Sequence, residues 1–434
     1  MLVALAILAA GCKGTSKPDG WMPPSQVDGE RVLVGDTLYV TRDAGKISSL
    51  NLAPESDADC SNDTDDDSDG RINEGCAQVD DISESGDQCK NSTSDETAVK
   101  DGPTEDEAVN DGCPTIVQSW AFGGKDELAC ANEGGKATKR DLKGIYGAPV
   151  VYQDRVFFGA YDGNLYALDA ANGQCVWVFN GTDGPIVGGV ALAGDTLYFG
   201  SEDGYLYGID PTSGALTHGP FDAGASIWST PLVDGDNLYF ATVEAKVWAL
   251  TAADLHPVWS NGPFTTSAGI LTDPIIVDSV LVVGGIGKQL FGLDPRTGEQ
   301  VWESPFDGGN WFWGDPAVDG GTAYYPNMDG KVYAVTAKTG KAAWEAPFPA
   351  IEAIRSAPLL ADGSLTIVDR RGNVFTVDPA TGKEQTVGPI VLGKNVLANP
   401  ALVGDAILVV ASNGDMFELD PKGQEPPKAV QVAN

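Results

Sequence analysis

The stretch DTDDDSDGRINEGC, Asp63 to Cys76, packs five aspartates into seven residues. Asp65, Asp67 and Asp69 alternate, and Gly70 follows them. Oxygen ligands at alternate positions, with a glycine where the chain must turn sharply, are what a hard cation such as calcium needs. Asn73 and Glu74 stand close enough in sequence to complete the coordination. Carboxylates crowded this way repel one another unless a cation neutralises them. The competing reading is a solvated acidic loop. Cysteines frame the stretch, and the frame occurs twice. Cys60-Ser61-Asn62 leads to Asn73-Glu74-Gly75-Cys76, and Cys89-Lys90-Asn91 leads to Asn110-Asp111-Gly112-Cys113. A duplicated frame favours Cys60–Cys76 and Cys89–Cys113, which leaves Cys130 with Cys175 among the pairings that six cysteines allow. In the second copy Glu105, Asp106 and Glu107 do not alternate, so it is read as solvated.

The first loop resembles EF-hand and thrombospondin type-3 calcium loops, although the twelfth position, where an EF-hand carries Glu, is Cys76. Residues 55–113 hold 20 Asp/Glu against 3 Lys/Arg, about half of the formal charge of −35. Such a charge repels nucleic acid and anionic lipid surfaces and excludes both as partners.

The chain opens MLVALAILAAGCKG. An apolar run of about ten residues is too short to cross a bilayer but suits a signal peptide. Its end, Leu8-Ala9-Ala10-Gly11-Cys12, resembles the lipobox of bacterial lipoproteins. That resemblance implies removal of residues 1–11, a lipid on Cys12, a tether over 12–29 and, with Lys13 next, sorting to the outer membrane. An exported, oxidising setting fits the even number of remaining cysteines.

What must position these groups is a repeat. Units such as YGAPVVYQDRVFFGAYDGNLYALDAANGQCVWVF recur, and the residue closing the third apolar run steps through Asp169, Asp210, Thr251, Asp294, Thr336, Asp378 and Asp420, 41 to 43 residues apart. Each unit carries four short β-prone runs between Gly/Asp/Asn turns, which is the signature of a propeller blade. An earlier copy begins at Arg31, and its fourth strand is displaced to Val117–Phe122. The expectation is an all-β, eight-bladed propeller over 30–434, with 53–116 inserted between the third and fourth strands of the first blade.

LDPRTGEQVW, Leu293–Trp302, resembles the D-x-x-T-G-x-x-x-W signature of the PQQ-like, or quinoprotein-type, propeller family. Trp120, Trp177, Trp259 and Trp344 hold the same slot as Trp302, while His218 and Thr386 replace it. The resemblance implies structural roles: Thr-Gly makes a turn and Trp packs between blades.

No catalytic residue is assigned. Only His218 and His256 are present, no adjacent cysteine pair exists, and no Cys-x-x-Cys-His is found. PQQ is therefore not expected and no cofactor is required, calcium in the insertion aside. Aligning the blades places Tyr146, Val187, Trp228, Leu271, Trp313, Arg355 and Leu397 on the turn before each inner strand, with Trp311 and Phe312 beside them. Aromatics and an arginine around a funnel mouth suit protein binding. Lipobox and repeats together resemble the BamB-type lipoproteins, which implies a monomeric, membrane-tethered scaffold for protein partners such as outer-membrane assembly components. The alternatives are a quinone-dependent dehydrogenase and a calcium-dependent adhesion or sensing module.

Overall fold

The computed structural model describes residues 31–34, 37–42, 46–51, 115–123, 127–130, 137–139 and 142–433, apart from 404–405, 414 and 425. Cys12, the acidic loop (Asp65, Asp67, Asp69, Asn73, Glu74) and Cys60, Cys76, Cys89 and Cys113 lie outside these residues.

The described strands form eight antiparallel units in chain order, four-stranded except the sixth, whose outer edge is two short strands, Lys341–Ala342 and Phe348–Pro349. The first unit comprises Arg31–Val34, Thr37–Arg42, Lys46–Asn51 and Thr115–Gly123. Its third and fourth strands pair across the insertion, with Asn51 opposite Val117. The second unit comprises Val150–Tyr152, Arg155–Gly159, Leu165–Asp169 and Cys175–Phe179. The third runs from Ala191 to Asp222, the fourth from Leu232 to Thr265, the fifth from Ile275 to Asp307, the sixth from Ala317 to Pro349 and the seventh from Leu359 to Val391. The eighth ends with Ala406–Val410, Met416–Leu419 and Lys428–Ala433. Tight two-residue hairpins join inner to second strands. Gln153 and Asp154 both take positive φ (48° and 59°), as do Asp278 and Ser279, a turn whose twist matches that of the flanking strands.

Second and third strands are buried on both faces, as in Val156–Gly159 and Leu165–Leu168, because each blade stacks on two neighbours. Inner strands approach so closely that a Cβ on Gly147 would lie 2.3 Å from the Gly188 backbone. At that level the fourth, fifth and seventh blades carry Ser229, Thr272 and Ser356, all buried, whose hydroxyls bond the carbonyls of Ala241, Gly284 and Val368 on their own second strands.

The slot tryptophans do what the repeat implies. Trp177, Trp259, Trp302 and Trp344 are 1–5% exposed. Each indole N–H donates to a carbonyl on the next blade's turn: Pro211 (3.0 Å), Pro295 (2.9 Å), Ala337 (2.7 Å) and Pro379 (2.8 Å). The turn glycine makes room, since a Cβ on Gly298 would meet Trp259 at 2.5 Å. Where His218 replaces tryptophan, the facing turn carries Leu255 in place of glycine, buried and at φ 56°, and the Tyr198 hydroxyl donates to the Ala252 carbonyl instead. Leu255 thus supplies apolar volume where the indole is missing, and the tyrosine bond, which Tyr239 and Tyr324 also make beside a tryptophan, keeps the carbonyl satisfied.

Closure is through outer strands. Lys428–Ala433 pairs antiparallel with Met416–Leu419 and parallel with Thr115–Gly123, so the first and eighth units share one eight-stranded sheet. Neither unit borrows a strand from the other end of the chain. A further hairpin, Glu127–Ala129 with Ala137–Lys139, stands between the first two units. Cys130 next to it is bonded to Cys175 on the outer strand of the second unit.

Tyr325 occupies the second-strand position held by Phe158, Phe199 and Phe240 in other blades. It is fully buried, and its hydroxyl has no hydrogen-bond partner among the described residues. A buried, unsatisfied hydroxyl costs about 1–3 kcal/mol. Tyr325→Phe is therefore expected to stabilise the protein by about 1 kcal/mol, read from the urea midpoint. A lower midpoint would show that the hydroxyl is satisfied in solution.

Candidate functional site

The loops entering the inner strands and the turns between second and third strands meet at one end of the propeller. Each entering loop alternates direction. Ile145, Ile186, Ile227, Ile270, Phe312, Ile354 and Val396 are buried between blades at 0–2% exposure. Their successors are the residues singled out from the sequence. Tyr146, Val187, Trp228, Leu271 and Trp313 are half-buried at the mouth, as is Trp311, while Arg355 (7% exposed) and Leu397 are buried. Phe312, grouped with the mouth aromatics from the sequence, instead faces the core against Tyr325 and Tyr333.

Three clusters result. The Arg355 guanidinium lies 4.3 Å from the centre of the Trp313 ring, and Trp313 stacks on Trp311 at 6.4 Å and 18°. Such a stack immobilises three large side chains, and a partly desolvated guanidinium over indole adds about 1–2 kcal/mol. Two blades away, the Trp228 indole N–H is buried with no hydrogen-bond partner among the described residues, and the Glu202 carboxyl is raised by burial. Tyr146 packs edge-on against Tyr161 at 5.7 Å. Leu271 joins none of these aromatic contacts.

Beneath the mouth lies a feature the sequence reading missed. Backbone N–H groups of inner segments donate to side-chain oxygens of the next blade: Gly189 to Thr230 Oγ1 (2.9 Å), Thr230 to Asp273 Oδ1 (2.6 Å), Asp273 to Asp315 Oδ1 (2.8 Å) and Ala357 to Asn399 Oδ1 (2.6 Å). The available signal was the residue before proline in aligned units, as in Thr230-Pro231, Asp273-Pro274, Asp315-Pro316 and Asn399-Pro400. These bonds tie the third blade through to the sixth, and the seventh to the eighth, just beneath the mouth.

Burial pushes the Asp315 carboxyl up, while the Asp273 N–H pulls it down. A carboxyl raised in the folded state is neutral in both states below the ordinary range, and stability falls as pH rises through the folded value. Asp315→Asn keeps the acceptor, as Asn399 does in its own blade. It is expected to raise the melting temperature at pH 7, with the gain fading as pH falls to about 4. A gain that persists unchanged at low pH would refute this origin.

Trp177, Trp259, Trp302 and Trp344 belong to the blade contacts and not to the mouth. Trp120 lies in the outer strand of the first unit, opposite Ser49. No group of three or more His, Cys, Asp or Glu among the described residues could hold a metal ion.

A set of antiparallel blades, locked by tryptophans on glycine turns of which two read Asp-x-x-Thr-Gly, defines a PQQ-like β-propeller. The chain belongs to the family described as outer membrane protein assembly factor BamB, whose model matches residues 79–219, 188–310 and 293–426. Among solved structures it is similar to BamB from Moraxella catarrhalis, with 19% identity, 66% of this chain and 88% of that chain covered, and a TM-score of 0.53. It is also similar to the computationally designed Ika8 protein, with 13% identity, 72% and 91% coverage, and a TM-score of 0.55. At these identities the likeness is one of fold. No curated protein matches the chain in sequence.

Proposed function

We propose that the protein is a lipid-tethered scaffold of the cell envelope that binds protein partners through the axial mouth, in a BamB-like role in outer-membrane protein assembly. The observation that carries this reading is the rigid aromatic set Trp228, Trp311 and Trp313 with Arg355 at one end of the propeller. Tryptophan, tyrosine and arginine dominate the binding energy of protein interfaces because they bury large area with few rotamers. Family membership supports the choice of partner, and the Ala-Gly-Cys12 lipobox supports the tether. The protein acts as a binder and not as an enzyme. Calcium in the Asp65–Glu74 loop remains a proposal resting on the spacing of its aspartates.

The test is site-specific photocrosslinking in native membranes from Trp228 and Trp313. Crosslinks to outer-membrane assembly proteins from both positions are expected, and a probe at Val301, on a blade flank, serves as the negative control. Equal labelling from all three positions would sink the axial reading. Fractionation of Cys12→Ala tests the tether: the variant should leave the membrane pellet.

A further inference from the structure

We infer that the end of the seventh blade, beside the Trp311–Trp313 stack, is a recognition site for a short acidic segment of a protein partner. The inference rests on the axial mouth being a protein-docking face and names the chemistry of what docks there.

The protein carries a formal charge of −35, yet this corner gathers four cations. Arg355 lies in the loop entering the seventh blade. Arg370 and Arg371 form its turn between second and third strands, and Lys394 stands in the loop leaving its outer strand. Backbone bonds hold the three segments together: Arg370 N–H to the Ala353 carbonyl (2.9 Å) and Val396 N–H to the Arg370 carbonyl (3.0 Å). Two of the cations are neutralised. Arg371 pairs with Glu352 at 3.2 Å, and Lys394 pairs with Asp415 at 2.7 Å. The nearby Asp369 is buried and committed to the N–H groups of Glu352, Arg371 and Asn373. Arg370 is half-buried and has no ion pair among the described residues.

This arrangement has two complementary parts. Arg370 offers a planar fork of donors suited to a carboxylate. Trp311 and Trp313 offer half-exposed indole surface for an apolar or aromatic side chain, held in place by Arg355 behind Trp313. Ile351 and Val391, each 63% exposed, add apolar surface at the same end of this blade. A ligand with acidic and aromatic side chains in alternation satisfies both parts. A short segment engages the local cations within the screening length of about 8–10 Å. An extended polyanion such as nucleic acid or an anionic membrane would instead meet the acidic remainder of the protein.

A fluorescein-labelled peptide alternating Asp and Phe, and its Lys-for-Asp counterpart, serve as probes in anisotropy titrations against the full-length protein. The acidic peptide should bind. Affinity should fall at least about tenfold in Arg370→Glu and in Trp311→Ala, and also in high salt, as expected for loss of a charge-assisted contact. The Lys peptide should not bind. Arg370→Gln and circular dichroism guard against misfolding, since the glutamine variant is polar, introduces no new charge and must also weaken binding. Vesicles containing phosphatidylglycerol should not pellet the protein in an Arg370-dependent way. Absence of acidic-peptide binding, equal binding by the Arg370 variants, or Arg370-dependent vesicle binding would overturn the inference. If the peptide fails while crosslinks from Trp228 persist, this corner is misassigned and the docking face stands. If both fail, both readings fall.

Discussion

Trp302→Ala is expected to remove about 3–5 kcal/mol of stability, the usual cost of truncating a buried tryptophan. The side chain is 3% exposed and packs with Val282, Tyr325 and Val335 in the core between the fifth and sixth blades. It is held between two glycines. A Cβ on Gly292 of its own blade, or on Gly340 of the next, would fall 2.2 or 2.4 Å from the indole. Neither wall carries a side chain that could move into the void, so the cavity should remain largely open. Trp→Phe variants separate packing from hydrogen bonding. Among the described residues Trp302 is the sole donor to the Ala337 carbonyl. The Pro295 and Pro379 carbonyls receive Trp259 and Trp344, and also the hydroxyls of Tyr239 and Tyr324. Trp302→Phe should therefore cost more than Trp259→Phe or Trp344→Phe, by about 1 kcal/mol. Urea midpoints of the three variants measure the order, and equal losses would remove the carbonyl argument.

The repeat was legible because a blade is the same solution solved many times. A strand buried on both faces must be apolar, a turn with positive φ favours Gly, Asn or Asp, and the period follows from four strands and four turns. Aligning the units then placed the mouth residues, and the displaced Thr115–Gly123 strand was found by its likeness to the other outer strands. What was missed breaks the period. The Glu127–Lys139 hairpin has no counterpart in other units. Lys428–Ala433 is paired by position and not by pattern, since its second partner lies more than 300 residues away in sequence. The substitution of Leu255 for glycine opposite His218 is visible only once the contact between blades is known, because the two residues belong to different repeats. The axial hydrogen bonds escaped for a similar reason. Thr230, Asp273, Asp315 and Asn399 differ in type, and what they share is an oxygen at one height. Phe312 lies beside the mouth residues in sequence, and the alternation of the entering loop, which sends every second residue into the core, is what separates it from them.

Cys130→Ala with Cys175→Ala is expected to lower stability by about 2–4 kcal/mol. The bond closes a loop of 45 residues, for which the chain-entropy account gives about 4 kcal/mol, and losses in practice run lower. The loop contains the second strand of the hairpin, Ala137–Lys139, and the first three strands of the second blade. Cys130 is fully buried in the cluster of Phe122, Leu142, Ile145, Phe158 and Tyr166. The hairpin itself has two strands of three residues, which cannot hold themselves together in water. Its attachment to the blade therefore depends on the disulfide and on Leu142 and Ile145. The loss should be uneven: hydrogen exchange should accelerate first in residues 127–139, while the amides of Tyr324–Val335, four blades away, keep their protection. The double variant must be compared with each single one, because a single substitution leaves a lone thiol that can exchange with other cysteines. If the double variant melts with the wild type and residues 127–139 exchange no faster, the disulfide is incidental and apolar packing alone holds the hairpin.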